Sequence, residues 1–272
     1  MMKEKVKLTG IPKTLLIPLR ARYLETKKQN GIIDDPKTVE ILDQIEYDFT
    51  GENKNDVSVG SQLGVAIRTE ILDEGVGKFI EKNPHGVVVN LGCGLDTRFH
   101  RIDNGSVFWY DLDVPEAIEL RKKFFDETDR FKFISKSVTD FSWLELLPKD
   151  KPILFVAEGL FMYFEESEIR EIFAKIREVY PSSEVLFEAM SPYMAKNTEK
   201  HPDMKGHSAK FKWGIKTGSD LEDWNQGINF IEEWYYFDRH REKHPFIFKL
   251  LSLIPAFRTG MKIVHISFNK TT

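Results

Sequence analysis

The chain has 272 residues, of which 41% are hydrophobic and 30% are charged, and its formal net charge is −4. This length allows one large α/β domain with a sizeable core, and the acidic balance excludes a general electrostatic attraction to nucleic acid or to an anionic membrane surface. The single cysteine, Cys93, excludes an internal disulfide, and the scattered histidines do not form a pattern typical of a metal site, so we expect no bound metal. No apolar run reaches the ~18 residues of a membrane span, so we expect a cytoplasmic protein.

The first part of the chain, residues 1–75, has the periodicity of helices. Leu15, Leu16 and Leu19 recur on one helical face, and Pro36 follows two acidic residues, as at the first position of a helix. Little in this part indicates a strand. We therefore predict an N-terminal helical cap that precedes the catalytic domain and forms one structural unit with it.

A polar, glycine-bounded segment and a third helix are predicted at the end of this cap. Residues 51–60 have the composition of a loop. Residues 61–81 are predicted to form a helix that Gly75 and Gly77 interrupt or weaken. The catalytic domain is then predicted over residues 76–272.

From Val87 onward the chain alternates between predicted strands and helices. Five strands of β-branched and aromatic residues are separated by helical patterns, and two closely spaced strands follow a loop-rich segment. This order predicts an α/β fold with a parallel, doubly wound sheet and right-handed crossovers. The seven predicted strands are residues 87–91, 107–110, 131–134, 152–157, 184–189, 228–237 and 261–268.

The segment between the fifth and sixth strands breaks the alternation. Residues 190–215 are rich in lysine, histidine, proline and glycine. We expect an insertion over residues 190–227 that acts as a lid on the pocket. An inert surface loop fits this composition equally well.

The catalytic domain is organised around a strand that leads into a tight glycine turn. The strand at 87–91 is followed by Gly92 and Gly94, whose small size lets the backbone lie close to a ligand. Asp111 comes about 20 residues later, after the second strand, where a carboxylate can accept both hydroxyl groups of a ribose. Thr97 occupies the place of the third glycine of a dinucleotide fingerprint, and no Gly-Lys-Ser/Thr follows. These residues favour S-adenosylmethionine (SAM) over a nicotinamide cofactor.

Candidate site residues follow several of the predicted strands. Ligands of doubly wound sheets bind outside the carboxyl ends of the strands, so Asp111, Asp140 and Glu158 are expected at the same rim as the glycine turn. Glu158 ends an apolar strand, and a carboxylate there needs a partner or a function. Asp140 could instead cap the helical segment that follows it.

Four short segments form a pattern that covers most of the chain, from about residue 14 to residue 268. They are Ala-Ile-Arg-Thr at 66–69, Leu-Gly-Cys-Gly-Leu-Asp-Thr-Arg-Phe-His-Arg at 91–101, Tyr-Asp-Leu-Asp-Val-Pro at 110–115 and Ala-Glu-Gly-Leu-Phe-Met-Tyr at 157–163. Together they resemble the leucine carboxyl methyltransferase family, including its bacterial branch of polyketide-type small-molecule O-methyltransferases. The resemblance implies a seven-stranded, Rossmann-like fold of SAM-dependent methyltransferases with an N-terminal helical cap.

The resemblance also implies roles for individual residues. Arg68 would hold the carboxylate of SAM, although it could instead be a helix-surface arginine paired with a nearby acid. Arg22 on the cap would face the substrate pocket, with Arg20 close enough to take its place, and Tyr163 is a further pocket candidate. The other implied cofactor contacts are the close turn at Gly92 and Gly94, the ribose at Asp111, the adenine at Asp140 and Phe141, and the amino-acid end at Glu158.

The predicted activity is transfer of a methyl group from SAM to a carboxylate or hydroxyl oxygen of a small molecule. A carboxylate is already ionised at pH 7, whereas a phenol, with a pKa of about 10, needs a base. The sequence shows no evident base near the rim, which favours a carboxylate held by a cation such as Arg22. Three alternatives stay open: methylation of a protein's C-terminal carboxylate, nicotinamide-dependent oxidoreduction, and a binding protein without catalysis.

Overall fold

Three helices precede the main sheet of the protein. The computed structural model describes residues 6–7, 13–46, 57–197, 210–224 and 227–269. Within these ranges the first helices are α1 (Lys13–Thr26), α2 (Pro36–Asp43) and α3 (Val59–Lys82). Two strands that the sequence did not predict, β1 (Val6–Lys7) and β2 (Ile45–Glu46), pair in parallel beside them.

Helix α2 begins where the sequence predicts. The carboxylate of Asp35 accepts a hydrogen bond from the backbone N–H of Thr38 at 3.0 Å and so caps the helix. Pro36 occupies the first helical position, where the missing N–H would have had no partner within the helix. The acidic pair and the proline therefore determine this helix start.

Helix α3 continues through Gly75 and Gly77, so the predicted interruption is wrong. A Cβ on Gly75 would lie 2.7 Å from Cδ2 of Leu186, which shows that this glycine lets the helix approach the sheet. The helix also spans the predicted boundary between residues 75 and 76, and the division into cap and catalytic domain stays a prediction. Of the predicted loop at 51–60, residues 51–56 lie outside the described residues, and Val59 and Gly60 belong to α3.

A seven-stranded mixed sheet forms the centre of the protein. Its strands lie in the order β5-β4-β3-β6-β7-β9-β8. The predicted parallel arrangement holds for β3 to β7, whereas β9 is antiparallel to both of its neighbours, β7 and β8. In chain order they are β3 (Val87–Leu91), β4 (Phe108–Asp113), β5 (Phe131–Ser135), β6 (Ile153–Ala157), β7 (Glu184–Met190), β8 (Ile228–Tyr235) and β9 (Met261–Phe268).

Both faces of the sheet are covered by helices. Val87 and Val89 pack in one buried cluster with Ile172 and its neighbours, whereas Val88 packs in a second cluster with Ile67 and other residues of the first helices. Burial on both faces explains why β3 is apolar at nearly every position. The remaining helices are α4 (Arg98–Ile102), α5 (Pro115–Arg121), α6 (Glu166–Val179), α7 (Pro192–Lys196), α8 (Phe246–Leu251) and α9 (Pro255–Arg258).

The chain order of the strands reverses at β3, which lies between β4 and β6. A crevice is expected at such a switch point, beyond the carboxyl ends of the strands. In the predicted lid, residues 192–196 form α7 and residues 218–224 form a 3₁₀ helix, while residues 198–209 lie outside the described part, so its role stays a prediction. Among the described helices, none combines the length and the apolar character of a membrane span.

Candidate cofactor and acceptor site

A cavity of about 960 Å³ opens at this switch point. Pockets for small molecules usually have volumes of about 300–1,000 Å³, so this cavity has room for a cofactor together with a second molecule. We call the part lined by charged side chains the charged end and the part lined by the rings of Phe237, Phe248 and Phe257 the aromatic end. The charged lining residues are Arg22, Arg68, Asp96, Asp113, Glu158 and Glu188.

The glycine turn after β3 forms part of the cavity wall. Gly92 and Gly94 have φ angles of 65° and 47°, which favour glycine. The backbone N–H groups of Gly92 and Cys93 both donate to the carbonyl of Leu112, at 2.8 and 3.1 Å, and fix the turn against β4. A Cβ on Gly92 would lie 2.8 Å from Cδ1 of Leu160, so the turn has no space for a side chain. Both glycines line the cavity, as the sequence predicts.

Asp111 does not line the cavity, which corrects its predicted role as the ribose contact. Its side chain is fully buried and accepts hydrogen bonds from Trp109 Nε1 at 2.9 Å and Asn90 Nδ2 at 3.2 Å. Arg121 of α5 covers it with an ion pair. Burial raises the pKa of the Asp111 carboxyl above its usual range, and the charge of Arg121 offsets this in part. We conclude that Asp111 is a structural residue.

Asp113 takes the position that had been expected for Asp111. Strand β4 continues to Asp113, three residues beyond the predicted end, and the last residue of the strand reaches the cavity. Its carboxylate accepts hydrogen bonds from the backbone N–H groups of Gly94 and Val114, both at 2.7 Å. Burial raises its pKa, and these two hydrogen bonds lower it in part. Asp113 therefore connects the end of strand β4 directly to the glycine turn.

Arg68 of α3 lies between two carboxylates at the charged end. Its Nε donates to Glu158 Oε1 at 2.8 Å and its Nη1 to Glu188 Oε2 at 2.9 Å. Burial alone would lower the pKa of Arg68, but the two carboxylates more than offset it and raise the pKa above its usual value. Glu158, predicted to need a partner, has one here. The structure thus places Arg68 at the cavity wall and not on the outer surface.

Glu188 is a cavity residue that the sequence reasoning missed. It belongs to β7, and its carboxylate accepts hydrogen bonds from Gly159 N and from the hydroxyl of Tyr236, both at 2.8 Å. A carboxylate within an apolar strand needs a partner. That rule was applied to Glu158 and could equally have identified Glu188.

Arg98 joins the cavity wall to a buried ion-pair network. It is fully buried and donates to Asp73 Oδ1 at 2.7 Å, to Asp96 Oδ2 at 2.5 Å and to Glu158 Oε2 at 2.6 Å. Burial by itself would lower the pKa of Arg98, but Asp96 and Glu158 more than compensate and raise it. Arg101 extends the network by pairing with Asp73 at 2.6 Å. The network fixes Glu158 and Asp96 from behind the cavity.

Arg22 lines the cavity, as predicted, but its guanidinium is already in contact with protein groups. Its Nη2 donates to the carbonyl of Leu95 at 3.2 Å, and its Nε lies 3.3 Å from Asp35 Oδ2. Burial lowers the pKa of Arg22, and the nearby carboxylates offset this in part. Arg20 is not a lining residue and lies 5.2 Å from the ring centre of Tyr23. An acceptor carboxylate at Arg22 would therefore compete with Asp35.

Asp140 and Phe141, the predicted adenine contacts, are not among the residues that line the cavity. The Asp140 carboxylate accepts a hydrogen bond from Ser142 N at 3.2 Å and caps the 3₁₀ helix Phe141–Leu146. It also pairs with Lys136 at 3.1 Å on the surface. The structure supports the capping alternative for Asp140.

We therefore expect Asp140→Ala to lower the stability of the protein slightly, because the cap of the 3₁₀ helix is lost, without weakening cofactor binding. Asp140→Asn is the matched control, because asparagine retains a capping oxygen. Thermal unfolding and calorimetric titration with S-adenosylhomocysteine (SAH) measure the two effects. If the alanine variant binds SAH more weakly but is as stable as the wild type, Asp140 contacts the adenine and does not serve mainly as a cap.

The aromatic end of the cavity is built by the C-terminal part of the chain. The rings of Phe237 and Phe257 lie 4.7 Å apart, and that of Phe248 lies about 6 Å from both, at 6.2 and 6.1 Å. Tyr163, the other pocket candidate, lines the cavity with its ring 5.5 Å from that of Phe211. These rings make this part of the cavity wall apolar and aromatic.

The sequence profile of the leucine carboxyl methyltransferase family matches residues 16–177. The chain belongs to this family. It is 35% identical over 238 residues to the tetracenomycin polyketide synthesis O-methyltransferase TcmP of Streptomyces glaucescens, a match that covers 87% of each chain. It is 28% identical over 253 residues to the S-adenosyl-L-methionine-dependent methyltransferase dpfgK of Gibberella zeae, covering 86% of this chain and 85% of the relative.

Solved structures share the fold of this family member. A DUF574 family protein from Streptomyces avermitilis aligns over 93% of this chain and 96% of its own, with a TM-score of 0.59 and 12% identity. Magnesium protoporphyrin IX methyltransferase from Synechocystis, with bound SAH, aligns over 79% of this chain and 90% of its own, with a TM-score of 0.50 and 9% identity. The predicted α/β fold, family and methyltransferase activity are confirmed, and the nicotinamide alternative is wrong.

Proposed function

We propose that this protein is an O-methyltransferase that transfers the methyl group of SAM to a carboxylate or hydroxyl oxygen of a small, apolar, ring-containing molecule. The observation that carries the proposal is one continuous cavity with a charged end beside the glycine turn and an aromatic end at Phe237, Phe248 and Phe257. The relative TcmP is a polyketide synthesis O-methyltransferase, which supports transfer to oxygen. It also favours a small molecule over the C-terminal carboxylate of a protein.

The residues at the charged end fit SAM, the cofactor predicted from the sequence and named for the relative dpfgK. The turn at Gly92 and Gly94 lines the cavity without side chains of its own. We assign the ribose to Asp113, whose carboxylate oxygens retain lone pairs beyond their two backbone contacts. Arg68 and Glu158 offer opposite charges for a carboxylate and an amino group.

Bound SAM supplies a methyl group on a positively charged sulfur, and the protein has to align an acceptor oxygen with it. Fixed positions for both molecules can supply much of the rate enhancement. The ion pairs of Arg68 with Glu158 and Glu188 hold this wall rigid, and the aromatic end keeps water away from the reacting atoms. A carboxylate acceptor needs nothing more, because it is already ionised.

A hydroxyl acceptor would need a proton acceptor, and His244 lies in the cavity wall near the aromatic end. Its Nε2 is 3.0 Å from the carbonyl of Arg239, so Nε2 is the donor and Nδ1 carries the lone pair. Burial lowers the pKa of His244, which keeps the ring neutral at pH 7. Both acceptor classes are therefore retained in the proposal.

The test is transfer of label from methyl-labelled SAM to a panel of aromatic and polycyclic acids and phenols. Mild alkaline hydrolysis separates the acceptor classes, because a methyl ester releases labelled methanol and a methyl ether does not. We expect calorimetry to detect SAH binding and the panel to yield at least one labelled product. If SAH does not bind and no compound is labelled, the proposal is wrong.

A further inference from the structure

Helix α3 exposes a bare stretch of backbone to the cavity at Gly64. Gly64 lines the cavity one helical turn before Arg68. A Cβ built on Gly64 meets no atom within 4 Å. A methyl group at this position would therefore project into the open space of the cavity.

Packing does not explain a glycine at this position. Two other glycines of α3 have a packing reason, because a Cβ on Gly60 would lie 2.6 Å from Phe248 and one on Gly75 would lie 2.7 Å from Leu186. Gly64 has no such neighbour. Glycine within a helix destabilises a protein relative to alanine, so the fold itself would be better served by a side chain here.

Gly64 stands between the two ends of the cavity. Gly60, four residues before it, packs against Phe248 of the aromatic end, and Arg68, four residues after it, belongs to the charged end. Four residues of helix span about 6 Å. A molecule that extends along this wall from the aromatic end towards the charged end therefore lies over Gly64.

We propose that Gly64 is a specificity-determining residue, where a flat, ring-containing acceptor lies directly against the backbone of α3. The inference rests on the proposed function and extends it by assigning the acceptor to this face of the cavity. The absent side chain provides the width that a planar ring system needs. A side chain at Gly64 excludes such acceptors and leaves the cofactor contacts of Gly92, Gly94 and Asp113 unchanged.

The experiment compares Gly64→Ala and Gly64→Leu with the same changes at Gly77. Gly77 is a matched control because it lies in α3, its Cβ would also meet nothing within 4 Å, and it is not a lining residue. Both alanine variants should raise the melting temperature by about 1–4 °C, as expected for glycine replaced by alanine in a helix. Naphthol and naphthoate serve as flat probes, with SAH as the probe of the cofactor site.

Calorimetry with the full chain should show naphthol and naphthoate binding at least about tenfold weaker for Gly64→Leu than for Gly77→Leu, as expected when a well-filled site is overpacked. All variants should bind SAH as the wild type does. Equal probe binding by the two leucine variants, or no probe binding by the wild type, overturns the inference. So does a loss of SAH binding confined to Gly64→Leu. Failure of the wild type to bind SAH would instead contradict the proposed function.

Discussion

Replacement of Arg98 by methionine is expected to lower the free energy of unfolding by about 3–5 kcal/mol, the usual cost of removing one partner from a buried ion pair. Arg98 is fully buried and donates to three carboxylates, those of Asp73, Asp96 and Glu158. Methionine fills similar space without the charge, so all three carboxylates lose the cation that they share. Urea denaturation followed by circular dichroism measures the effect.

Arg130→Met provides the control for this prediction. Arg130 forms a two-bond pair with Asp103, at 2.7 and 2.9 Å, but near the surface, where its side chain is 29% exposed. Ion pairs in such positions contribute only about 0–1 kcal/mol. A loss for Arg98→Met no larger than that for Arg130→Met would show that the buried network contributes little to stability.

The cost of Arg98→Met should also depend on pH. Burial would raise the pKa values of Asp96 and Glu158, but the surrounding arginines more than offset this and hold both below their usual range. The stability that these depressed pKa values provide is present above the unfolded-state pKa of about 4 and is lost as the pH falls further. We therefore expect the difference between wild type and Arg98→Met to narrow below about pH 4.

The same network ties the start of helix α2 to the segment that follows the glycine turn. Asp35, which caps α2, pairs with Arg101 at 2.8 Å and accepts a hydrogen bond from the hydroxyl of Thr97 at 2.5 Å. Thr97 is the residue that stands in place of the third glycine of a dinucleotide fingerprint. The Thr97 hydroxyl therefore has a structural role that a glycine could not fill, because it attaches Asp35 and the start of helix α2 to this segment.

The local sequence pattern predicted the bounds of those strands whose apolar run stops at a glycine or a polar residue. Strand β3 was predicted to the residue, because its apolar run stops at Gly92, and the bounds of β9 were also correct. The end of β4 was missed by three residues, because Asp111 and Asp113 have the polarity of a loop. The partner that allows Asp111 to lie inside the sheet is Arg121, which no local pattern reveals.

Mainly those residues of the candidate site that belong to local sequence motifs were predicted. The glycine turn, Arg68 and Glu158 belong to motifs with recognisable spacing, and all of them line the cavity. Glu188 belongs to none of these motifs, and only the rule that a carboxylate in an apolar strand needs a partner could have identified it; the partner itself, Arg68, lies 120 residues away in the sequence. The aromatic end was missed as well, since three rings from separate turns and helices become a surface only in the folded chain.

Asp113→Asn is expected to weaken SAH binding by about tenfold to a hundredfold, since hydrogen bonds to charged groups contribute about 1.5–3 kcal/mol. Asp113 lines the cavity and lies against Gly94 of the turn. Asparagine keeps an acceptor for the backbone N–H of Gly94, but it removes the charge and replaces the oxygen that accepts from Val114 N with an NH2 group, so fewer lone pairs remain for a ribose diol. The stability of this variant should fall only by about 0.5–1.5 kcal/mol, the usual contribution of the one hydrogen bond that is lost.

Asp111→Asn separates the two aspartates, because the same change two residues earlier should have the opposite effects. Loss of the Asp111 charge leaves Arg121 buried without its carboxylate, and unfolding should become easier by about 3 kcal/mol. SAH affinity of the folded variant should be retained, since Asp111 does not reach the cavity. Calorimetric titration with SAH and urea denaturation, applied to both variants, therefore give four readings. If Asp111→Asn loses SAH affinity at full stability while Asp113→Asn binds normally, the ribose contact belongs to Asp111 after all.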